Sequence, residues 1–128
     1  MPNLHEQQIH LGLGATAEPQ PPFTGMEWYV DYSERVASDG DEGRLVSMHH
    51  FTGPWDHWEV HPTGSEVVLC VDGEMTVIQE VDGREVETTL GAGDYVINEP
   101  GTWHTADVAT AATGLFITSG RNTEHRPR

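Results

Sequence analysis

No lysine occurs anywhere in the chain, and its six basic residues, all arginine, face 21 aspartates and glutamates for a formal charge of −15 with histidine neutral. So acidic a surface repels polyanions, which removes nucleic acid and anionic membranes from the partners to expect. Schiff-base chemistry on a lysine is excluded outright. Otherwise the acidic excess reads as a well-solvated surface. Cysteine is nearly missing too. Cys70 stands alone inside the apolar run Val67 to Val71, so it forms no internal disulfide and reads as a small buried hydrophobe in a reducing compartment, its thiol made unreactive by burial. Nowhere is there an apolar run of about 18 residues, the length of a membrane span. Residues 1–20 show no basic segment followed by an apolar core. A cytoplasmic protein is expected. Helical periodicity is scarce, and 128 residues suffice for one domain with its own hydrophobic core.

The chemistry concentrates between Trp58 and Gly73. From Asp56 to His61 the residues alternate as in an extended strand, so Glu59 and His61 share one face and Trp58 and Val60 the other. His57 has the parity of Glu59 and His61, but it lies about 7 Å further along the strand than Glu59 and is expected at the rim of a pocket. Pro62-Thr63-Gly64-Ser65 is turn chemistry, after which Glu66 opens the apolar strand Val67 to Val71. A hairpin there returns Glu66 beside His61. His104 adds an imidazole from a second strand-turn-strand passage, Gly93 to His104. Glu59, His61, Glu66 and His104 therefore form a candidate shell of mixed nitrogen and carboxylate donors, suited to a divalent first-row ion such as manganese, iron(II), zinc or nickel.

Taken in order, residues 1–25 carry a Pro19-Gln20-Pro21-Pro22 cluster and little periodicity, and read as an N-terminal extended arm. Met26 to Ser33, rich in aromatic and β-branched residues, reads as the first strand. After the Ala37 to Gly43 loop, Arg44 to Phe51 is a second strand on which His49 and His50 point to opposite faces, so only one of them enters the interior. Arg44 is a candidate partner for a substrate carboxylate or for a surface ion pair. Asp82-Gly83 marks a hairpin, Val71 to Glu74 a similar turn one strand earlier, and Leu115-Phe116-Ile117 a last apolar strand. Residues 26–120 are thus one all-β domain, followed by a polar, frayed tail at 121–128.

The two passages resemble the motifs of the cupin superfamily. The first of those motifs runs Gly, five residues, His-x-His, three or four residues, Glu, six residues, Gly, and Gly53, Glu59, His61, Glu66 and Gly73 stand at these intervals with Glu59 in place of the first histidine. The second runs Gly, five residues, Pro-x-Gly, two residues, His, three residues, Asn. Gly93, Gly101 and His104 match it, while Glu99 takes the proline position and Val108 the asparagine. The resemblance implies an antiparallel double-sheet jelly-roll barrel. It also implies an interior pocket lined by one of His49 and His50, by Val68, Cys70, Met75 or Val77, and Tyr95 or Val96, with His57 at its rim, sized for a small-molecule ligand. Such barrels are commonly homodimers, and the strand Val67 to Val71, apolar on both faces, needs a cover on its outer side. The function implied is a metal-dependent enzyme of dioxygenase or isomerase type acting on a small organic acid, enol or sugar-like molecule. A non-catalytic ligand sensor and a metal-free isomerase or epimerase are the alternatives.

Overall fold

The computed structural model describes residues 1–128. Eleven strands, all antiparallel to their neighbours, form two sheets. In chain order they are β1 (Ile9–Gly12), β2 (Thr16–Pro19), β3 (Arg44–Phe51), β4 (His57–Val60), β5 (Glu66–Gly73), β6 (Met75–Val81), β7 (Arg84–Leu90), β8 (Tyr95–Asn98), β9 (His104–Asp107), β10 (Ala112–Thr118) and β11 (Glu124–Pro127). The first sheet has six strands in the order β2-β1-β3-β10-β5-β8, the second five in the order β11-β4-β9-β6-β7. This is the expected jelly-roll architecture, with the inward side chains of both sheets meeting in one core.

Alternation along β5 sets the phase of that core. Glu66, Val68 and Cys70 are buried, while Val67 and Leu69 are partly covered and Val71 is exposed. Val68 and Cys70 pack with Met75, Val77, Leu90, Ala106 and Phe116 across the two sheets, and Phe51, Trp55 and Val96 close over them. Gly73 ends β5 at φ 79°, where any Cβ would collide with the Ala111 carbonyl oxygen. Only glycine allows β5 and β10 to meet so closely there. Asp82 and Gly83, at φ 52° and 75°, make the expected tight turn between β6 and β7.

The turns at Pro62 to Ser65 and Gly73 to Glu74 are not hairpins, however. β4 and β5 belong to opposite sheets, as do β5 and β6, so each turn is a corner where the chain crosses between layers. Two further expectations are corrected. Met26–Arg35 is an α-helix, α1, rather than a strand: Trp28 and Tyr32 lie one turn apart on a single buried face and stack with ring centroids 5.4 Å apart. Helical periodicity outweighs the β propensity of the individual aromatics. Glu27 in the first turn and Arg35 in the last suit the helix dipole. Tyr32 also reaches His10 Nδ1 at 2.6 Å, and His10 Nε2 lies 2.6 Å from Asp39, which ties the helix and the 3₁₀ stretch after it to β1.

The tail is not frayed. β11 pairs with β4 in register Glu124↔Val60 to Pro127↔His57. Arg126 lies over the rings of Trp58 and Trp103, at 5.1 and 4.5 Å from their centroids, and pairs with Glu80. Arg128 donates to the carbonyls of Trp55 and Ala106 and pairs with Asp107. At the other end, β1 joins β3 (Ile9↔Val46), making part of the N-terminal segment a sheet strand.

Candidate metal centre

Register brings the candidate residues together. Glu59 on β4 is directly opposite His104 on β9 and, on its other side, opposite His125 on β11. His57 and His61 share its face two residues before and after it, because side chains on a strand alternate. Glu59 thus stands at the centre of a cross of four histidines. Glu66 approaches from the other sheet, at the start of β5.

Within the cross, an inner group is buried. His61 Nε2 lies 3.1 Å from Glu66 Oε2 and 3.6 Å from Glu59 Oε2; His104 Nε2 lies 3.1 Å from Glu66 Oε1 and 3.9 Å from Glu59 Oε2. Side-chain exposure is 6% for His61, 1% for His104, 4% for Glu66 and 22% for Glu59, so the group opens to solvent on the Glu59 side.

The other ring nitrogens fix the tautomers. Thr123 donates its hydroxyl proton to the Gly120 carbonyl at 2.9 Å, so it accepts from His61 Nδ1–H at 2.8 Å. His104 Nδ1–H donates to the Thr102 carbonyl at 3.1 Å. Both Nε2 atoms are thereby turned to the carboxylates, buried and without a well-aligned hydrogen-bond partner, each open to a proton or a metal ion. At about 3 Å from a carboxylate oxygen, each nitrogen needs either a proton or a metal cation between the two atoms. The Glu66 carboxylate is itself anchored, accepting from Asn98 Nδ2 at 3.0 Å and Thr118 Oγ1 at 2.7 Å, and Gln79 Nε2 donates in turn to Asn98 Oδ1 at 2.7 Å.

In the metal-free chain Glu66 favours a proton on the facing His104 ring. Burial would raise the Glu66 carboxyl, but His104 and His61 outweigh it and hold it below the usual carboxylate range. Burial would lower the His104 imidazole, and Glu66 outweighs it to hold the ring above its ordinary value. Metal–ligand distances of about 2.0–2.2 Å place neighbouring donors about 3–3.5 Å apart, close to the separations found here. Two imidazoles and two carboxylates thus fit a divalent first-row ion, and the hydrogen-bonded Nδ1 atoms supply the outer contacts that ligating histidines normally have.

Among the remaining expected residues, His49 points inward. It lies among the rings of Phe23, Phe51 and Phe116, and burial lowers its pKa. His50 is exposed on the outer face, bonded to Thr113 Oγ1 at 3.0 Å, and is not a pocket residue. Tyr95 is likewise corrected. It is 63% exposed, because β8 pairs Glu66↔Asn98 and Leu69↔Tyr95, a phase that turns Val96 and Asn98 inward instead. Val68, Cys70 and Met75 face inward but are fully packed, forming a floor beneath the cluster rather than the wall of an open cavity. Burial raises the Cys70 thiol, which keeps it inert. Arg44 has the outward parity of His50 and pairs with Leu11, so it does not enter the interior.

His57 is at the rim, its Nδ1 2.7 Å from Asp56 and its Nε2 3.1 Å from Glu59 Oε1. Trp55 stacks on His57 at 5.9 Å and lies 6.3 Å from His104, with its indole Nε1 buried and unpartnered. Sequence reasoning missed Asn98, Thr118, Thr123 and His125. Strand parity was a signal for the first two, since Asn98 follows Val96 and Thr118 follows Phe116 by two residues.

Comparison with known proteins follows the same outline. A family model described as the Cupin domain matches residues 47–120. Among solved structures, a cupin-2 domain containing protein from Shewanella frigidimarina is similar at TM-score 0.51 and 19% identity, over 70% of this chain and 72% of that one. Hydroquinone 1,2-dioxygenase from a Sphingomonas species, with 4-hydroxybenzoate bound, is similar at TM-score 0.50 and 17% identity, over 59% of this chain and 58% of its own. Bacillus subtilis oxalate decarboxylase, studied for its Mn(II) centres, is similar at TM-score 0.54 and 13% identity, over 74% of this chain but only 26% of its own. Curated proteins yield no match. No helix is long and apolar enough to cross a membrane.

Proposed function

The chain belongs to the cupin domain family, and from that premise we propose that it is a metal-dependent enzyme, of dioxygenase or isomerase type, acting on a small organic acid, enol or sugar-like molecule. One observation carries the reading: two buried imidazole nitrogens, Nε2 of His61 and of His104, lack well-aligned hydrogen-bond partners and converge on Glu66 at 3.1 Å. His61, His104, Glu66 and Glu59 would hold the ion, manganese and iron(II) being favoured by the second carboxylate. When bound, the ion supplies Lewis acidity and open positions for a substrate oxygen.

The chain's own residues do the rest. The packed floor of Val68, Cys70 and Met75 leaves a ligand only the Glu59 side of the cluster, where the group opens to solvent. Trp55, with a buried N–H that no protein group accepts, is the natural donor to a substrate oxygen. His57, oriented by Asp56, stands at the mouth with its Nε2 on Glu59 Oε1 and helps to hold that carboxylate in place. Burial would lower its pKa, but Asp56 and Glu59 together raise it. The reading includes a reducing, cytoplasmic setting, consistent with the lone Cys70, and a homodimer formed through the outer face of the six-stranded sheet.

The test is elemental analysis of protein purified without a histidine tag, followed by turnover assays on a panel of small enols, diketones and sugars. Metal retained by the native chain, lost in His104→Ala and accompanied by turnover, is the expected outcome. Metal-loaded protein that is inert across the panel, while panel members raise its melting temperature, replaces the enzyme with a ligand sensor.

A further inference from the structure

Glu59 has two carboxylate oxygens, and only one of them faces the inner group. Oε2 points to His61 and His104, whereas Oε1 lies 3.1 Å from His57 Nε2 and 3.4 Å from His125 Nε2. We infer that Glu59 is a bridging carboxylate and that His57, Glu59 and His125 form a second divalent-metal site at the mouth of the barrel, making the centre dinuclear. The ligand atoms of this outer trio all lie within 4.8 Å of one another, as do those of Glu59, His61 and His104. The 3.1 and 3.4 Å separations match neighbouring donors around an ion with metal–ligand distances of about 2.0–2.2 Å.

A further observation on the same trio supports it. His57 Nδ1–H donates to Asp56 Oδ1 at 2.7 Å and Nε2–H to Glu59 Oε1 at 3.1 Å, so an ion that displaces the Nε2 proton finds the ring already aimed beside Glu59. A carboxylate behind the imidazole that faces the ion is the usual support for a ligating histidine. His125 owes its place to β11, whose pairing sets it opposite Glu59 with its ring 5.2 Å from that of His57. Imidazole, imidazole and carboxylate, with His57 and His125 partly exposed, leave positions open to water, so this ion is held more weakly and exchanges more readily than the inner one.

The bridge rests on the inner metal reading, but the outer trio does not, and zinc titration separates them. Metal-free protein titrated with Zn(II) in a calorimeter is expected to take up two equivalents. His125→Ala and His57→Ala each reduce this to one, His104→Ala removes the other, and Asp56→Asn weakens only the outer equivalent, by about tenfold to a hundredfold. Mn(II) adds a readout of the bridge: the paramagnetic resonance of the one-equivalent sample broadens when the second equivalent is added, and does not in His125→Ala. A single equivalent lost in His104→Ala yet kept in His125→Ala overturns the outer site while leaving the inner one standing. A single equivalent kept in His104→Ala and lost in His125→Ala overturns the inner site and the bridge instead. His57 and His125 are both exposed enough for their alanine variants to fold, which circular dichroism verifies.

Discussion

If the inner group binds an ion in the folded chain alone, metal must appear as thermal stability, and its size can be worked out. An ion at a hundredfold excess over its Kd adds about 2.7 kcal/mol. A chain of 128 residues unfolds with an entropy of about 2.1 cal/mol/K per residue, or about 0.27 kcal/mol/K in all, so the melting temperature rises by about 10 °C. Reading the effect in His125→Ala isolates the inner group, since the inner residue that His125 pairs with is Glu59, and through its outward oxygen Oε1. Thr123→Val in that background removes the acceptor that holds His61 Nδ1–H. Loss of such an outer contact weakens metal binding by about tenfold to a hundredfold, which at the same ion concentration cuts the rise to about 2–5 °C. His104→Ala abolishes it. The assay is thermal unfolding by circular dichroism on chelator-stripped protein with and without Zn(II) or Mn(II). An undiminished rise in His104→Ala would place the ion elsewhere and refute the assignment.

Other outcomes follow from the same geometry. In metal-free protein the lowered Glu66 pKa contributes stability that is complete above the unfolded carboxylate value of about 4.3 and is lost as pH falls through its folded value. The raised His104 pKa contributes stability that is complete below the unfolded imidazole value of about 6.5 and is lost as pH rises through its folded value. Stripped protein should therefore lose stability on the alkaline side, and metal should remove that loss; denaturation midpoints against pH, in native chain and in His104→Ala, check it, and an equal alkaline fall in both counts against the pair. The outer face of the six-stranded sheet carries continuous cross-strand rows, Val46-Ile117-Val67-Ile97 and Met48-Leu115-Leu69-Tyr95. Leu69→Glu should reduce the particle seen by light scattering from a dimer to the 14.1 kDa chain, and a native chain already at that mass would dismiss the dimer. Gly73→Ala, clashing with the Ala111 carbonyl at a positive φ, should destabilise the fold by more than about 1 kcal/mol in urea denaturation, whereas Gly83→Ala, with open space at its Cβ, should cost less.

Most strands were legible because alternation and turn chemistry are local. Asp82-Gly83 needed nothing beyond its own dipeptide, and the parity of His57, Glu59 and His61 needed only their spacing. What failed was decided at longer range. Met26–Arg35 has strand-forming aromatics, yet Trp28 and Tyr32 find their partner, Leu45, only when wound into a helix. Residues 124–127 have no apolar pattern; they become β11 because Arg126 lies over Trp58 and Trp103, residues far away in sequence. His125 was invisible as a site residue for that reason. The choices between His49 and His50 and between Tyr95 and Val96 stayed open because the six-stranded sheet is apolar on both faces, so hydrophobicity could not say which parity was inside.

The exchange of an imidazole for Glu59 is where the two proposed sites meet. With neutral histidines, the inner carboxylates Glu59 and Glu66 balance the charge of one divalent ion, leaving a neutral centre inside a chain of formal charge −15. Such a centre attracts an anionic substrate only weakly, and the surrounding acidic surface repels it. The same field concentrates cations at the mouth, where His57 and His125 have neutral donors to offer. A second ion there would share the charge of Glu59 and turn the centre net positive, which would favour a small carboxylate or enolate. The requirement is specific: in His125→Ala the affinity for an anionic substrate should fall while that for a neutral one is kept, and an equal loss for both would mean that the outer group acts by shape rather than by charge.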